Sequence, residues 1–430
     1  MKKTNTKRVI TAGLTLLLAI LFVLGAVSCS AGMDYASGMF GGGGYRVDKG
    51  EIADGAYEEA PAGADGGDSG ENEETKPTAG LMTAKAWNDN EHFEDWAALF
   101  EQGKKFEYYT QNDWKLPTLK RLTVRVTCGG EPVGGAYVAC DGEDGTGGFR
   151  AVTDKSGIAY VYTTAARGRI RVASGNGGVY EGSTGFDADQ SREVSVEIDG
   201  KEDTGYLLQI KFVVDVTGSM GDEIDFLKTE LADVIDRVRT GNPDASIELS
   251  FIFYRDDGDD QKFSTVSFTN VTDPLNYKKI QNALDKQSAD GGGDYPEALD
   301  EALAMAVDDQ WAENATKLMF VVLDAPAHSG EQYQKRFSDA VKTAAEMGIR
   351  ICPVLASGAD NVCEYICRTA ALYTGGTSVF ITDESGIGGQ HRDPDLPDAV
   401  VERLNLLLVR LINGYYTGTF SDPVPWFGQQ

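Results

Sequence analysis

The chain has 430 residues, too many for one ordinary domain, so two or three are expected. A formal net charge of −28 argues against a nucleic-acid binder, which needs a basic surface to neutralise phosphate. The same acidity suits a soluble, exported surface and allows cation binding.

Residues 1–28 read as a signal peptide. MKKTNTKR carries four cationic side chains, and VITAGLTLLLAILFVLGAV is an apolar run ending in small residues. The run is long enough to span a bilayer, so an uncleaved anchor is the alternative. Ala26-Val27-Ser28-Cys29 resembles a bacterial lipobox, with Ala26 where Leu is more usual. That resemblance implies lipidation at Cys29 and a membrane-anchored lipoprotein of the cell envelope.

Residues 29–85 contain GGGG and APAGADGGDSGENEETKP and few aliphatic side chains. Such a segment buries too little apolar surface to offset its ordering entropy, and it reads as a disordered acidic tether. About 50 residues of this kind span roughly 40 Å. Residues 86–120 differ. Phe93, Trp96, Leu99 and Phe100 fall at helical spacing, and Phe106, Tyr108, Tyr109 and Trp114 follow. An aromatic stripe can bind a glycan; more often it is core or a wedge between domains, the reading adopted for this one.

Residues 121–200 alternate polar and apolar in RLTVRVTC, AYVAC, GIAYVYT, GRIRVAS and REVSVEI, separated by GGEPVGG, DGEDGTGG, DKSG and SGNGG. The pattern predicts a small antiparallel β-sandwich. Gly130-Glu131-Pro132-Val133-Gly134-Gly135-Ala136-Tyr137-Val138, with Thr153-Asp154-Lys155-Ser156-Gly157-Ile158-Ala159, resembles the carboxypeptidase-regulatory-like sandwich, whose members are generally spacers or modest binding modules. Asp141, Glu143 and Asp144 in the DGEDG turn lack the length and distal Glu of an EF-hand loop and read as a solvated turn. Cys128, Cys140, Cys352, Cys363 and Cys367 form no CxxC and no zinc-site spacing, and they read as buried small hydrophobes.

From residue 206 to about 416 near-continuous apolar strands alternate with amphipathic helices, which predicts a mostly parallel sheet covered on both faces. LLQIKFVVDV is the first strand. A helix from Asp222 to Arg239 has Ile224, Leu227, Leu231, Val234, Ile235 and Val238 on one face, and a last helix is expected over DAVVERLNLLLVRLIN. Residues 417–430 form a tail. The fold class is therefore multidomain: a doubly wound α/β domain preceded by a small β-sandwich.

In such a sheet ligands sit beyond the carboxyl ends of the strands, at the switch in strand order. Two strands end there in Asp, IKFVVDVTGS at Asp215 and KLMFVVLDAP at Asp324, and the Gly-rich loop SADGGGDYPEA offers Asp294. Carboxylates and hydroxyls without a thiol or imidazole cluster suit a hard cation such as Mg²⁺, or Mn²⁺ or Ca²⁺. The D-x-T-x-S spacing places Asp215, Thr217 and Ser219 on one loop. Helix capping by Thr217 or Ser219 explains one hydroxyl, but not two aspartates ending two buried strands. His328 reads as structural, and Asp256, Asp257, Asp259 and Asp260 in YRDDGDD as a solvated hairpin turn.

Asp215-Val216-Thr217-Gly218-Ser219-Met220, GGGDYPEAL and LDAPAH, in that order, resemble a von Willebrand factor A domain. YRDDGDD, AALYTGGTSVFITDESGIG and ERLNLLLVRLI are similar to a bacterial branch of exported proteins of that type. The resemblance implies a metal-ion-dependent adhesion site. Asp215, Thr217 and Ser219 would be ligands, Asp324 would orient metal-bound water, and Asp294 would stand where integrin-like members carry Thr. An Asp there tightens the metal while weakening its pull on an incoming anion. The implied function is binding of a protein ligand through an acidic side chain, without catalysis, and with a last helix able to shift as the site fills. The alternatives are a scaffold with a vestigial or structural site, and a metal-dependent phosphohydrolase. The hydrolase reading lacks the usual second carboxylate, since Thr217 stands two residues after Asp215, and lacks GxSxG and P-loop motifs.

Overall fold

The computed structural model describes residues 77–427, apart from 110–113, 144, 175–179, 202–204, 393, 395 and 397. The signal peptide over 1–28, Cys29, most of the tether over 29–85, Asp144 and residues 428–430 lie outside the described residues. The chain divides into two units, Met1–Asn72 and Glu73–Gln430, and everything described belongs to the second.

The first described element is a strand, β1 (Thr83–Trp87), followed by a short helix, α1 (Phe93–Ala98). The tether reading therefore overlaps ordered structure over 83–85. Past α1 the aromatic side chains turn inward. Trp96 and Phe106 are fully buried, and Trp96, Phe106 and Tyr109 surround the Tyr365 ring at centroid distances of 6.3, 5.4 and 4.8 Å. The segment is core and not a glycan platform. Only Tyr108 stands clear of it, 86% exposed.

Eight strands follow: β2 (Arg121–Cys128), β3 (Glu131–Pro132), β4 (Tyr137–Gly142), β5 (Phe149–Val152), β6 (Ile158–Tyr162), β7 (Arg167–Ser174), β8 (Tyr180–Asp187) and β9 (Glu193–Glu197). They form two four-stranded sheets, β3-β2-β6 with β9 on β2, and β5-β4-β7-β8. Alternation decides the faces: Leu122, Val124, Val126, Val138, Ile170 and Val172 are buried while Arg167, Arg169 and Arg171 face solvent. One pair departs from the antiparallel expectation. β9 returns beside β2 in parallel, because the chain reaches it from β8 in the other sheet instead of through a hairpin. The Asp141 carboxylate is divided between Arg150 and Arg171, at 2.8 and 2.6 Å, so its charge is already met by protein cations. Among the described residues all five cysteines are free thiols, and burial pushes Cys140 and Cys352 up to about 12.

The α/β part contains β10 (Leu207–Asp215), a 3₁₀ turn (Gly218–Asp222), α2 (Ile224–Gly241), β11 (Ser246–Tyr254), β12 (Phe263–Asn270), α3 (Pro274–Asp285), α4 (Leu299–Val307), β13 (Ala315–Leu323), α5 (Glu331–Met347), β14 (Ile349–Leu355), α6 (Asn361–Thr374), β15 (Ser378–Thr382), β16 (Val401–Arg403) and α7 (Leu404–Thr417). The sheet order is β12-β11-β10-β13-β14-β15-β1-β16. The five inner strands from β11 to β15 are parallel, while β12 and β1 are antiparallel to their neighbours. Ile210, Phe212 and Val214 of β10 pack in one apolar cluster with α2, α3 and α7. Val213 joins a second cluster with α4, α5, α6, the aromatic segment and both small sheets. The last helix starts at Leu404 instead of Asp398, because Val401–Arg403 is drawn into a strand beside β1.

Candidate metal centre

The chain runs from β10 to β11 on one side and later returns to β13 on the other, so the strand order reverses between β10 and β13. Asp215 is the last residue of β10 and Asp324 follows β13, so both carboxylates stand at the switch.

Asp215 is fully buried, Thr217 nearly so, and Ser219 is exposed at the mouth. The Thr217 backbone N–H and hydroxyl both donate to Asp215 Oδ1, at 2.9 and 2.6 Å, and the Thr217 and Ser219 hydroxyls are 3.2 Å apart. Thr217 occupies the position before the 3₁₀ turn but makes no side-chain capping bond. Its hydroxyl serves the carboxylate, which removes the capping explanation. Asp215 Oδ2 and Asp324 Oδ1 are buried without a well-aligned hydrogen bond, although the Tyr254 hydroxyl beside Asp215 favours its ionised form. Two such oxygens in one crevice are costly unless a cation meets them.

Electrostatics carry the same signature. Burial, and then Asp324, push the Asp215 carboxyl up to about 7. Burial raises Asp324 to about 6, although the Ser219 hydroxyl beside it favours the ionised form. Asp324 and Ser219 form part of the wall of an open cleft of about 670 Å³, lined also by Ser357, Gly358, Gln390 and Arg392.

Of the sequence-predicted set, Asp215, Thr217, Ser219 and Asp324 come together. Asp294 does not join them in burial: its side chain is exposed on the Gly-rich loop. That loop is laced to the Asp215 loop by Gly218 N–H to Gly291 O and Asp290 N–H to Val216 O, both 3.1 Å. Gly291 and Gly292 have φ of +75°, and a Cβ on Gly292 would lie 3.0 Å from Glu297 Oε1 and 3.3 Å from Thr217 Cβ. The carboxylate beneath this loop belongs to Glu297, which is 3% exposed. Its carboxyl is pushed up to about 9 by burial and then by Asp215, Asp256 and Asp324.

The acidic turn is divided: Asp257 and Asp260 are exposed, as expected of a solvated turn, while Asp256 and Asp259 turn inward. Asp256 is buried and bonded to His328 Nε2 at 2.7 Å, and Asp259 Oδ2 accepts from the N–H groups of Asp256 and Gly292, each at 3.0 Å. Both follow β11, whose carboxyl end shares the edge with β10 and β13, so the shared strand direction was the signal for them. Among the described residues no three His, Cys, Asp or Glu side chains close on a common point as a preformed metal shell. The Asp215 arrangement is instead one of two carboxylates and two hydroxyls, an oxygen set that fits a hard cation.

Residues 209–367 match the family model of the von Willebrand factor A domain. The chain contains a von Willebrand factor A domain. The expected resemblance holds over this stretch, and its doubly wound sheet is the one described above. The α-protein kinase vwkA of Dictyostelium discoideum is 26% identical over 149 residues, which cover 34% of this chain and 23% of that protein. The chain thus spans about a quarter of the length of that curated relative. Among solved structures, the pilus adhesin SpaC of Lactobacillus rhamnosus GG in its open conformation is 12% identical, covering 58% of this chain and 32% of that one, with a TM-score of 0.36. An aerotolerance-related membrane protein of Bacteroides fragilis is 14% identical, covering 49% of this chain and all of that one, at 0.32. BatB of Bacteroides thetaiotaomicron is 17% identical, covering 39% and 87%, at 0.30.

Proposed function

We propose that the chain is an exported, membrane-tethered binding protein. Its von Willebrand factor A domain would hold a divalent cation on Asp215, Thr217, Ser219 and Asp324 and engage an acidic side chain of a protein partner. The observation that carries this reading is the pair of buried oxygens without a hydrogen bond, Asp215 Oδ2 and Asp324 Oδ1, with Asp324 in the wall of an open cleft. When bound, the cation would neutralise these carboxylates and offer a coordination position to a carboxylate from outside. The chain's own residues supply the rest. Thr217 orients Asp215 through two hydrogen bonds, Ser219 stands at the mouth, and the Gly-rich loop closes one wall. Mg²⁺ is the expected ion, with Mn²⁺ or Ca²⁺ as substitutes. Export and anchoring rest on the leader and Cys29; no helix of the described residues is long and apolar enough to cross a membrane. The carboxypeptidase-regulatory-like reading of residues 121–200 belongs to the same proposal, as a spacer in contact with the binding domain.

Hydrolysis draws little support. Asp215 is fully buried and one of its oxygens is committed to Thr217, a poor situation for an attacking nucleophile. A scaffold with a structural site is favoured by one observation, the absence among the described residues of a ready three-ligand cluster of His, Cys, Asp or Glu. A thermal melt separates the two. At a metal concentration about 100 times its Kd, binding to the folded state alone stabilises by about 2.7 kcal/mol. The expected result is a higher Tm with Mg²⁺ or Mn²⁺ than in EDTA for the wild type and no metal response in Asp215→Ala. Equal melts with and without metal would sink the cation, and partner capture insensitive to EDTA would leave the scaffold.

A further inference from the structure

We infer that Glu223, His391 and Asp383 form a pH-dependent clamp that holds one wall of the cleft beside Asp324. The inference rests on the cation-binding reading above and adds a regulation of the same site. His391 is buried, and each ring nitrogen faces a carboxylate oxygen at 2.7 Å, Nε2 to Glu223 Oε1 and Nδ1 to Asp383 Oδ1. Both oxygens act as acceptors. Glu223 Oε1 also takes the Ser357 N–H at 3.1 Å, and Asp383 Oδ1 takes the His391 backbone N–H at 2.9 Å. Two acceptors on one ring require two ring N–H groups, so the bridging form is the imidazolium. A neutral ring keeps one N–H and serves only one of them.

The two carboxylates come from different elements. Glu223 follows the 3₁₀ turn of the Asp215 loop, whereas Asp383 follows β15. Between Asp383 and His391 the chain passes Gly386, Gly388 and Gly389 and lies directly on Glu223, so close that a Cβ on Gly388 would collide with the carboxylate. Gly389, Gln390 and His391 then line the same cleft as Ser219 and Asp324. Two fastenings of this stretch do not involve the imidazole. Gln390 O accepts from the Gly358 N–H at 3.2 Å, and Arg392 donates to Glu364 at 2.7 Å and to Ala359 O at 3.1 Å. Arg392 thus fixes the end of the segment, and the clamp fixes its middle.

The surroundings of the ring are mainly acidic. Asp222 lies beside Gly389, Asp324 borders the cleft, and Lys85 of β1 and Glu384 share a recess with Asp383, His391 and Arg392. Burial opposes the charged ring, but Glu223 and Asp383 raise it overall. The clamp is therefore complete in weakly acidic medium and is lost as pH rises through the folded value. Its loss leaves the buried Glu223 carboxylate without a bonded cation among the described residues and loosens the wall that a partner must pass.

The test reads the clamp on the full chain in EDTA. Imidazole nitrogen NMR follows the three histidines, and hydrogen exchange follows residues 383–392 and Gly358. At about pH 6 the His391 ring should carry both N–H groups. Between about pH 6 and about pH 8.5, corrected for intrinsic exchange, protection of the His391 and Gly358 amides should fall by about tenfold as a charge-assisted bond is lost. In His391→Gln protection should be low at both values. In Asp383→Asn the fall should move to lower pH, and this exposed position keeps the test decisive if H391Q does not fold. Protection independent of pH in the wild type, a fall that persists in H391Q, or a ring with a single N–H at about pH 6 overturns the clamp. Those failures leave the cation-binding reading intact, whereas a chain whose melt ignores metal sinks that reading and not the clamp.

Discussion

Asp215, Asp324 and Glu297 are held at about 7, 6 and 9, against about 4 for the same groups in an unfolded chain. Burial is the main cause for each. A carboxyl raised in the folded state binds its proton more tightly there than in the unfolded chain. Its contribution to stability is complete below about pH 4 and is lost as pH rises through the folded value. In EDTA the Tm should therefore fall between pH 5 and pH 8. Saturating Mg²⁺ should shrink that fall, because the ion takes over from the protons. Asp215→Asn should reduce the fall in EDTA and remove the metal effect. His391 acts in the same direction without involving the ion. Burial lowers it, but Glu223 and Asp383, each 2.7 Å from a ring nitrogen, raise it overall, and its ion pairs weaken as pH rises. Scanning fluorimetry across pH, with and without metal, checks this. A fall in Tm equal under both conditions would assign the pH response to His391 and not to the carboxylates.

At the scale of elements, β1 shows how a weakly patterned strand is held. TAKAW follows a low-complexity stretch and has no hairpin partner near it in sequence. It pairs antiparallel with β15 on one side and β16 on the other, both about 300 residues away. Its approach is clipped by Glu230 of α2, whose carboxylate accepts the N–H groups of Gly80, Leu81 and Met82 at 2.8 to 3.1 Å. Glu230→Ala should strand these donors in a part-buried site and cost about 1–3 kcal/mol in a urea melt. A cost near zero would mean that strand pairing alone holds β1. Such long-range pairing is why the sequence hid this strand, and why DAVVERLNLLL reads as one helix although its Val401–Arg403 portion joins the sheet. The parallel strands were legible because each is an apolar run bounded by turns, and their ends located Asp215 and Asp324. Glu297 was not, because PEAL reads as a first helical turn. Only the fold shows that α4 begins two residues later, at Leu299.

At the scale of the whole unit from Glu73 onward, the small sheets and the von Willebrand factor A domain share one apolar cluster. α5 packs on β5 and α6 on β6, Tyr162 stacks on Tyr373 at 4.7 Å, and Arg350 donates to Val152 O at 2.9 Å. No apolar boundary divides them, so urea should unfold them in one transition, followed equally by tryptophan fluorescence and circular dichroism. The polar tie is Arg368 of α6. Its guanidinium is buried and donates to Asp89, ahead of α1, and to Glu364 at 3.0 Å. Glu364 keeps Lys105 and Arg392 as further partners, but Asp89 depends on Arg368 alone among the described residues. Arg368→Met leaves the Asp89 carboxylate buried without its cation and should cost about 3–5 kcal/mol. Adding Asp89→Asn removes the stranded charge and should recover part of that loss, a non-additivity that a double-mutant cycle in urea reads directly. Additive effects would mean that the aromatic packing around Tyr365, and not the ion pair, joins the N-terminal segment to the domain.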